Sequence, residues 1–158
     1  MSNTQSMCTS FLGELMTATH NFGVSPVRGA STADTFKGAL YLASATLNAS
    51  TTAYSSTGEV TGTGYTAGGV TVTNATAPTS TNSSTTAGVG YWTPSASLTY
   101  TTVTLTTAFD TVLIYNSTQS NKAVSVHTFG SQTITAGTFT LTMPSNTTTT
   151  ALLRLATT

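Results

Sequence analysis

Apolar side chains at alternate positions are the feature that most restricts how this chain can fold. From Thr35 onward they recur every second residue, which is the period of a β-strand with one buried face. The pairs in phase include Phe36 and Leu40, Val70 and Val72, Val124 and Val126, and Phe139 and Leu141. About a quarter of all residues are threonine, whose β-branched side chain favours pleated strands. The pattern therefore predicts an all-β fold.

The second half of the chain carries the clearest strand pattern. Val112-Leu-Ile-Tyr115 is a continuous apolar run, typical of a strand buried on both faces. The turn cluster at residues 116–121 follows it, so residues 111–129 are predicted to form a hairpin. Upstream, the alternation changes phase at Thr101–Thr102, which indicates a β-bulge there.

These patterns predict an antiparallel β-sandwich or jelly-roll-like domain over residues 35–158. Residues 1–34 are predicted to form an extended arm and a short helix over residues 11–19, with Thr9 or Ser10 as its N-cap. Two Ser/Thr/Gly-rich stretches, residues 43–69 and 74–97, lack a core-forming pattern and are predicted to be long loops. If these loops are ordered, we expect a partner chain to order them.

Charge is scarce in this sequence. Only 5% of the 158 residues are charged and the formal net charge is zero, against about 25% charged residues in an average domain. The few Lys and Arg residues form no basic patch, so no nucleic-acid partner is expected. Either an assembly covers much of the surface, or hydroxyl groups solvate it. The sequence shows neither a secretory signal nor an apolar run of membrane-spanning length, so we expect no membrane partner.

The residues that could support chemistry are dispersed. The four acids are Glu14, Asp34, Glu59 and Asp110. Their wide spacing favours isolated surface or capping carboxylates over an acid/base pair. His20 and His127 lack metal-ligand spacing, and Cys8 has no neighbouring histidine. We therefore predict no catalytic residue, no metal, no cofactor and no enzymatic activity.

Six apolar or aromatic residues are candidates for contact with a partner. They are Phe11, Leu12, Tyr54, Tyr65, Tyr91 and Trp92. Tyr91-Trp92 beside Pro94 could form a contact patch, since Trp and Tyr are favoured at interfaces. The alternative is a core Trp with a hydrogen-bonded indole.

Several blocks of the chain resemble small virion proteins encoded by tailed bacteriophages. The resemblance covers roughly two thirds of the sequence in order and departs from the family pattern at residues 74–97. The blocks are Thr35–Leu42, Ala45–Tyr54, Gly58–Gly69, Val112–Val124 and Gly137–Leu141, together with His20-Asn-Phe22.

The resemblance implies a structural protein of the virion and supplies no catalytic residues. We expect a capsid decoration (cement) protein, made in the host cytoplasm, that binds the major capsid protein and forms a homo-oligomer, with a trimer favoured. Two alternatives remain open. One is a tail, neck or fibre-base component, and the other is a glycan-binding β-sandwich on the virion surface.

Overall fold

The computed structural model describes residues 3–16, 18–22, 33–73, 77–81 and 88–156, apart from the side chains of Thr9, Leu12, Gly13 and Met16. Both of its sheets are antiparallel, so the predicted all-β fold class is confirmed. The elements are β1 (Ser6–Met7), α1 (Thr9–Met16), β2 (Phe36–Leu42), β3 (Val70–Thr71), β4 (Thr79–Ser80), β5 (Val89–Trp92), β6 (Leu98–Asn116), β7 (Lys122–Leu141) and β8 (Leu153–Ala156).

Contacts group the chain into two compact units. The first comprises residues 1–20, 34–72 and 98–140, and the second comprises residues 21–33, 73–97 and 141–158. Each unit is thus assembled from three separate stretches of the chain.

A five-stranded sheet in the order β1-β7-β6-β2-β3 builds the first unit. β2 pairs antiparallel with β6 from Phe36 opposite Asn116 to Tyr41 opposite Thr111. The register then shifts, and Leu42 lies opposite Phe109. Leucine, valine and aromatic side chains from these two strands fill the core, and both Leu40 and Leu113 are completely buried.

The two longest strands, β6 and β7, form the predicted hairpin. Ser120 and Asn121 close it with positive φ angles of 52° and 59°. All four residues of the Val112–Tyr115 run are at most 3% exposed, so the prediction of a strand buried on both faces is confirmed. Thr102 has a φ of 55°, and both Thr101 and Thr102 are exposed. The predicted bulge is therefore present, and it is what returns Val103 to the buried face.

The helix α1 begins at Thr9 rather than at residue 11 and ends at Met16 rather than at residue 19. The N–H of Cys8, just before it, donates to the carbonyl of Val124 in β7. This bond joins the start of the helix to the sheet. Among the described residues, no helix has the length and hydropathy needed to cross a membrane.

The second unit contains a three-stranded sheet in the order β4-β5-β8. Trp92 in β5 lies opposite Leu153 in β8 and is 2% exposed. The ring of Phe22 packs edge-on against the Trp92 indole, with centroids 4.8 Å apart. Two strands thus occur within residues 74–97, which were predicted to be loop. Each strand is too short for a period-two pattern to stand out in a Ser/Thr-rich sequence.

Candidate functional site

A buried carboxylate, that of Glu59, organises the first long stretch without a core-forming pattern. Glu59 is 6% exposed and accepts three hydrogen bonds. The Tyr54 hydroxyl donates to Oε2 at 2.6 Å, the Tyr65 hydroxyl donates to Oε1 at 2.7 Å, and the N–H of Gly68 donates to Oε1 at 2.7 Å. The interpretation of Glu59 as a surface or capping carboxylate is wrong. Hydrogen bonds to a carboxylate are among the stronger ones in proteins, so these three offset much of the cost of burying it.

The tyrosines around Glu59 connect it to the sheet. The N–H of Leu40 in β2 donates to the Tyr65 hydroxyl at 3.0 Å. The Tyr115 hydroxyl in β6 donates to the Gly68 carbonyl at 2.9 Å, and its ring stacks on Tyr54 with centroids 4.7 Å apart. We call Glu59, Tyr54, Tyr65, Gly68 and Tyr115 the Glu59 cluster. It fastens residues 54–68 to β2 and β6 through bonds within one chain.

The hydroxyls of the cluster remain protonated donors well above neutral pH. Burial, together with the hydrogen bond to Glu59, raises the pKa of both Tyr54 and Tyr65 far above the ordinary tyrosine range. Burial is also the largest cause that raises the pKa of Tyr115. These side chains therefore serve as fixed hydrogen-bond donors, and none has the lowered pKa that an acid or base working near pH 7 would need.

Glycine is required where the Glu59 cluster meets the sheet. Gly69 has a φ of 72°, and a Cβ placed there would overlap the carbonyl oxygen of Gly38 in β2. Only glycine combines this left-handed conformation with so close an approach of two backbones. The Gly-Gly pair at 68–69 therefore serves the packing of this loop against β2.

A second polar cluster lies at the turn end of the β6–β7 hairpin. Glu14 Oε2 lies 2.7 Å from His20 Nε2, and Glu14 Oε1 lies 2.7 Å from Lys122 Nζ. Burial alone would raise the pKa of Glu14, but the hydrogen bonds from Lys122 and His20 outweigh it and hold that pKa below its usual value. Asn116, fully buried, donates to Asp34 Oδ2 at 2.7 Å. This cluster joins α1 to the hairpin turn.

Two nucleophilic side chains, those of Cys8 and Ser125, are buried. Cys8 is completely buried, and burial followed by the nearby Glu14 raises the pKa of its thiol to about 11. Ser125 is 1% exposed; its Oγ lies 2.8 Å from His127 Nε2, and burial lowers the pKa of His127 to about 4. In the part of the chain that the structure describes, no group of three or more His, Cys, Asp or Glu could hold a metal ion.

The six predicted contact residues lie in different surroundings. Phe11 is 2% exposed and packs edge-on against His20, with ring centroids 4.9 Å apart. Tyr54 and Tyr65 belong to the Glu59 cluster. Trp92 is buried beside Phe22, which agrees with the alternative that it is a core residue. Tyr91 is half-buried opposite Arg154. The side chain of Leu12 lies outside the described part. Whether any of these residues touches a partner remains a prediction.

The outer side of residues 41–58 carries an open groove of about 460 Å³. Hydroxyls, methyl groups and backbone line it, and none of its residues is charged. They are Tyr41, Ser44, Ala45, Thr46, Leu47, Thr51, Ala53, Ser55, Thr57 and Gly58. Such a lining suits a neutral surface that presents hydroxyls and small apolar groups. This groove was not predicted, because its residues carry no strand or motif pattern.

Comparisons of the chain with family models, with curated proteins and with solved structures return no match.

Proposed function

We propose that this chain is a structural protein of a bacteriophage virion and that it decorates the capsid. One observation carries the proposal: all four carboxylates of the sequence are engaged by donors within the chain. Glu14 meets His20 and Lys122, Asp34 meets Asn116 and Gln119, Glu59 meets Tyr54, Tyr65 and Gly68, and Asp110 meets Asn3 and Thr111. Because its few acidic side chains form hydrogen bonds within the chain, the protein presents mainly hydroxyls and small apolar groups at its surface.

An exterior of this kind suits permanent contact with a large protein lattice. A contact made of hydroxyls and methyl groups contains few ion pairs for salt to screen. The capsid shell repeats the same junction many times, so a modest contact at each junction adds up over the particle. The partner would be the major capsid protein, and a homo-oligomer would suit a local symmetry axis of the shell.

The uncharged groove is our candidate for the capsid contact. Hydrogen bonds within the chain hold the backbone of this groove: the N–H of Leu42 donates to the Gly58 carbonyl at 2.9 Å, and the Tyr41 hydroxyl donates to the Ser55 carbonyl. The surface is therefore shaped before a partner arrives, and less ordering is needed on binding. The Gly58–Gly69 block, which contributes to the resemblance to phage proteins, begins at the groove with Gly58.

Copy number tests the proposal most directly. We would purify particles of the phage that encodes this chain and measure its amount relative to the major capsid protein by quantitative mass spectrometry. A ratio of the order of one is expected for a shell-wide decoration protein. A ratio of a few per cent would overturn the capsid role and place the chain in the tail or neck. The particles should also keep the protein in high salt, because ion pairs contribute little.

A charge placed in the groove tests the contact surface. Thr57 is exposed in the groove, and Thr61 is exposed outside it. Particles that lack this protein should bind the full-length Thr57→Lys variant more weakly than the natural chain, because an ammonium group would be buried at the contact without a partner. Thr61→Lys serves as the matched control and should bind as the natural chain does. Equal binding by all three proteins would rule out the groove as the contact.

The glycan-binding alternative has lost part of its basis. Exposed aromatic rings at Tyr91 and Trp92, on which a sugar could stack, would support it, but Trp92 is 2% exposed. Tyr91, half-buried in β5, is the remaining candidate from that pair. Glycan-array binding that Tyr91→Ala abolishes would revive this alternative.

A further inference from the structure

The outer edge of β7 is paired only at its beginning. β1 lies antiparallel to it, with Ser6 opposite Val126 and Met7 opposite Ser125. The arm then turns away, because the N–H of Thr4 donates to the carbonyl of Leu47 at 2.9 Å. In the described part of the chain, no strand other than β6 pairs with β7 beyond Val126. Among the described residues, the outer edge of residues 127–140 therefore has no paired strand, although the Thr128 hydroxyl still donates to Gln5 Oε1 in the arm at 3.5 Å.

This open edge lacks the devices that usually protect a sheet from further pairing. Natural edge strands are commonly short, or carry lysine or proline on the edge. Residues 127–140 contain no Lys, Arg, Asp, Glu or Pro. A left-handed residue, Ala136 with a φ of 47°, bends the strand only near its end. The edge thus remains open to another strand over most of its length.

The hairpin also projects beyond the rest of its sheet. The register of β2 with β6 ends at Leu42 opposite Phe109, and one isolated bridge follows, between Thr63 and Thr104. Along this two-stranded ribbon the backbone of Gly62 and Gly64 lies close to the carbonyls of Thr104 and Thr102, so β6 is covered on that side, whereas β7 is covered by no other strand of the described residues. On one side of this ribbon, Phe139 packs against Phe109 and Phe129 with centroid distances of 5.1 and 5.3 Å. Phe129 and Phe139 remain half-buried, so an additional strand would cover more apolar surface.

We infer that residues 127–140 are a self-association edge, on which β7 of a second copy pairs antiparallel about a twofold axis. Twofold pairing aligns the same segment with itself, and the absence of charged side chains means that no like charges meet. The arm of the chain already shows that this edge accepts an antiparallel strand. The inference goes beyond the proposed capsid role and does not depend on it.

The length of the edge sets the strength of dimerisation that we expect, because it determines the surface area that pairing can bury. Fourteen residues at about 3.3 Å each extend over about 45 Å. A contact strip about 10 Å wide would then bury roughly 450 Å² per copy, or roughly 900 Å² in total, which falls in the range of weak, transient interfaces. We therefore expect a dimer whose population rises with protein concentration.

A lysine at the middle of the edge tests the inference. Pairing over residues 127–139, with residue 127 of one copy opposite residue 139 of the other, places residue 133 of one copy beside residue 133 of the other. Thr133→Lys would bring two ammonium groups together and should raise the dimer dissociation constant by roughly a hundredfold or more. Thr106→Lys is the control, because Thr106 is an equally exposed threonine on β6, an inner strand. Sedimentation equilibrium of the full-length proteins over a range of concentrations measures the constants.

Amide hydrogen exchange on the natural chain gives a second measurement that needs no variant. Amides in residues 127–135 should exchange more slowly at concentrations where the dimer forms, whereas amides in the hairpin turn should not change. Three outcomes would overturn the inference: a monomer at all concentrations, a trimer, or a dimer that Thr133→Lys and Thr106→Lys affect equally. If Thr133→Lys lowers the unfolding midpoint, Thr133→Glu replaces it, since it places two carboxylates opposite each other, and Thr106→Glu is then the control.

Discussion

The hydroxyl of Tyr65 donates to the buried Glu59 carboxylate at 2.7 Å, and the same oxygen accepts the N–H of Leu40 at 3.0 Å. One tyrosine thus links an acid in an irregular segment to the backbone of a central strand. This link should therefore contribute to the stability of residues 54–68.

Replacing Glu59 by glutamine should destabilise the protein by about 2 kcal/mol. Donors occupy both carboxylate oxygens, so the amide NH₂ must face a hydroxyl that was donating. Asp110→Asn is the matched control: both described donors to Asp110, Asn3 and Thr111, bind Oδ1, and an asparagine can keep an oxygen there. Urea denaturation measures both changes. Equal losses in the two variants would contradict the special role of Glu59.

Tyr65→Phe should lower the free energy of unfolding by about 1–3 kcal/mol. The change removes the donor to Glu59 and leaves the N–H of Leu40 without the oxygen that accepts it. Tyr91→Phe is the control, since the structure describes no hydrogen bond of the Tyr91 hydroxyl in the residues it covers. We would compare the two variants in the same denaturation experiment. A Tyr65→Phe protein as stable as the Tyr91→Phe protein would refute the prediction.

Stability should fall as the pH drops from about 7 to about 4. The unfolded chain protonates His127 near its ordinary pKa of about 6.5, whereas burial lowers the pKa in the folded protein to about 4. Between these values the unfolded state binds more protons, so acid favours unfolding by at most about 3 kcal/mol from this residue. Glu14 acts in the same direction, because its lowered pKa means that the stability it contributes is lost as the pH falls.

Urea denaturation at pH 7 and pH 4.5 measures this dependence. The His127→Gln protein should lose less stability between the two pH values than the natural chain, because one of the linked protons is gone. Identical losses in the two proteins would show that His127 does not contribute.

The Cys8 thiol should resist modification in the folded protein. Burial and the nearby Glu14 raise the pKa of this thiol to about 11, and the side chain is inaccessible. Because the thiolate is the reactive form, labelling at pH 8 should be roughly a hundredfold or more slower than in the unfolded chain. Absorbance of a thiol reagent with and without denaturant measures both rates. Comparable rates would indicate that the start of α1 opens readily.

Sequence patterns located parts of the two longest strands. The period-two alternation marked both ends of β6 and of β7, and the phase change at Thr101–Thr102 located the bulge, because each exposed or buried side chain follows directly from the pleat. The patterns did not show that β6 and β7 continue for 19 and 20 residues, well beyond the hairpin predicted over residues 111–129. The same patterns missed β4 and β5. Two to four residues contain too few alternations to distinguish a strand from a Ser/Thr-rich loop.

The Glu59 cluster could not have been predicted from spacing. Glu59 lies nineteen positions from Leu40 and fifty-six from Tyr115, and nothing in their local sequences marks them as neighbours. A signal was present, however: a single acid with tyrosines five residues before it and six after it, in an otherwise uncharged segment. Interpreting residues 43–69 as a loop to be ordered by a partner overlooked those internal donors.

The sequence by itself determined the fold class and the neutral character of the protein, because strand periodicity and charge content are local properties of the chain. Only the tertiary structure decided where each carboxylate lies, which tyrosines are donors inside the protein, and which edge of the sheet stays open. These are properties of residues distant in sequence that the strand pairing brings together. Whether an acid is buried or exposed depends on that pairing and not on its neighbours in the chain.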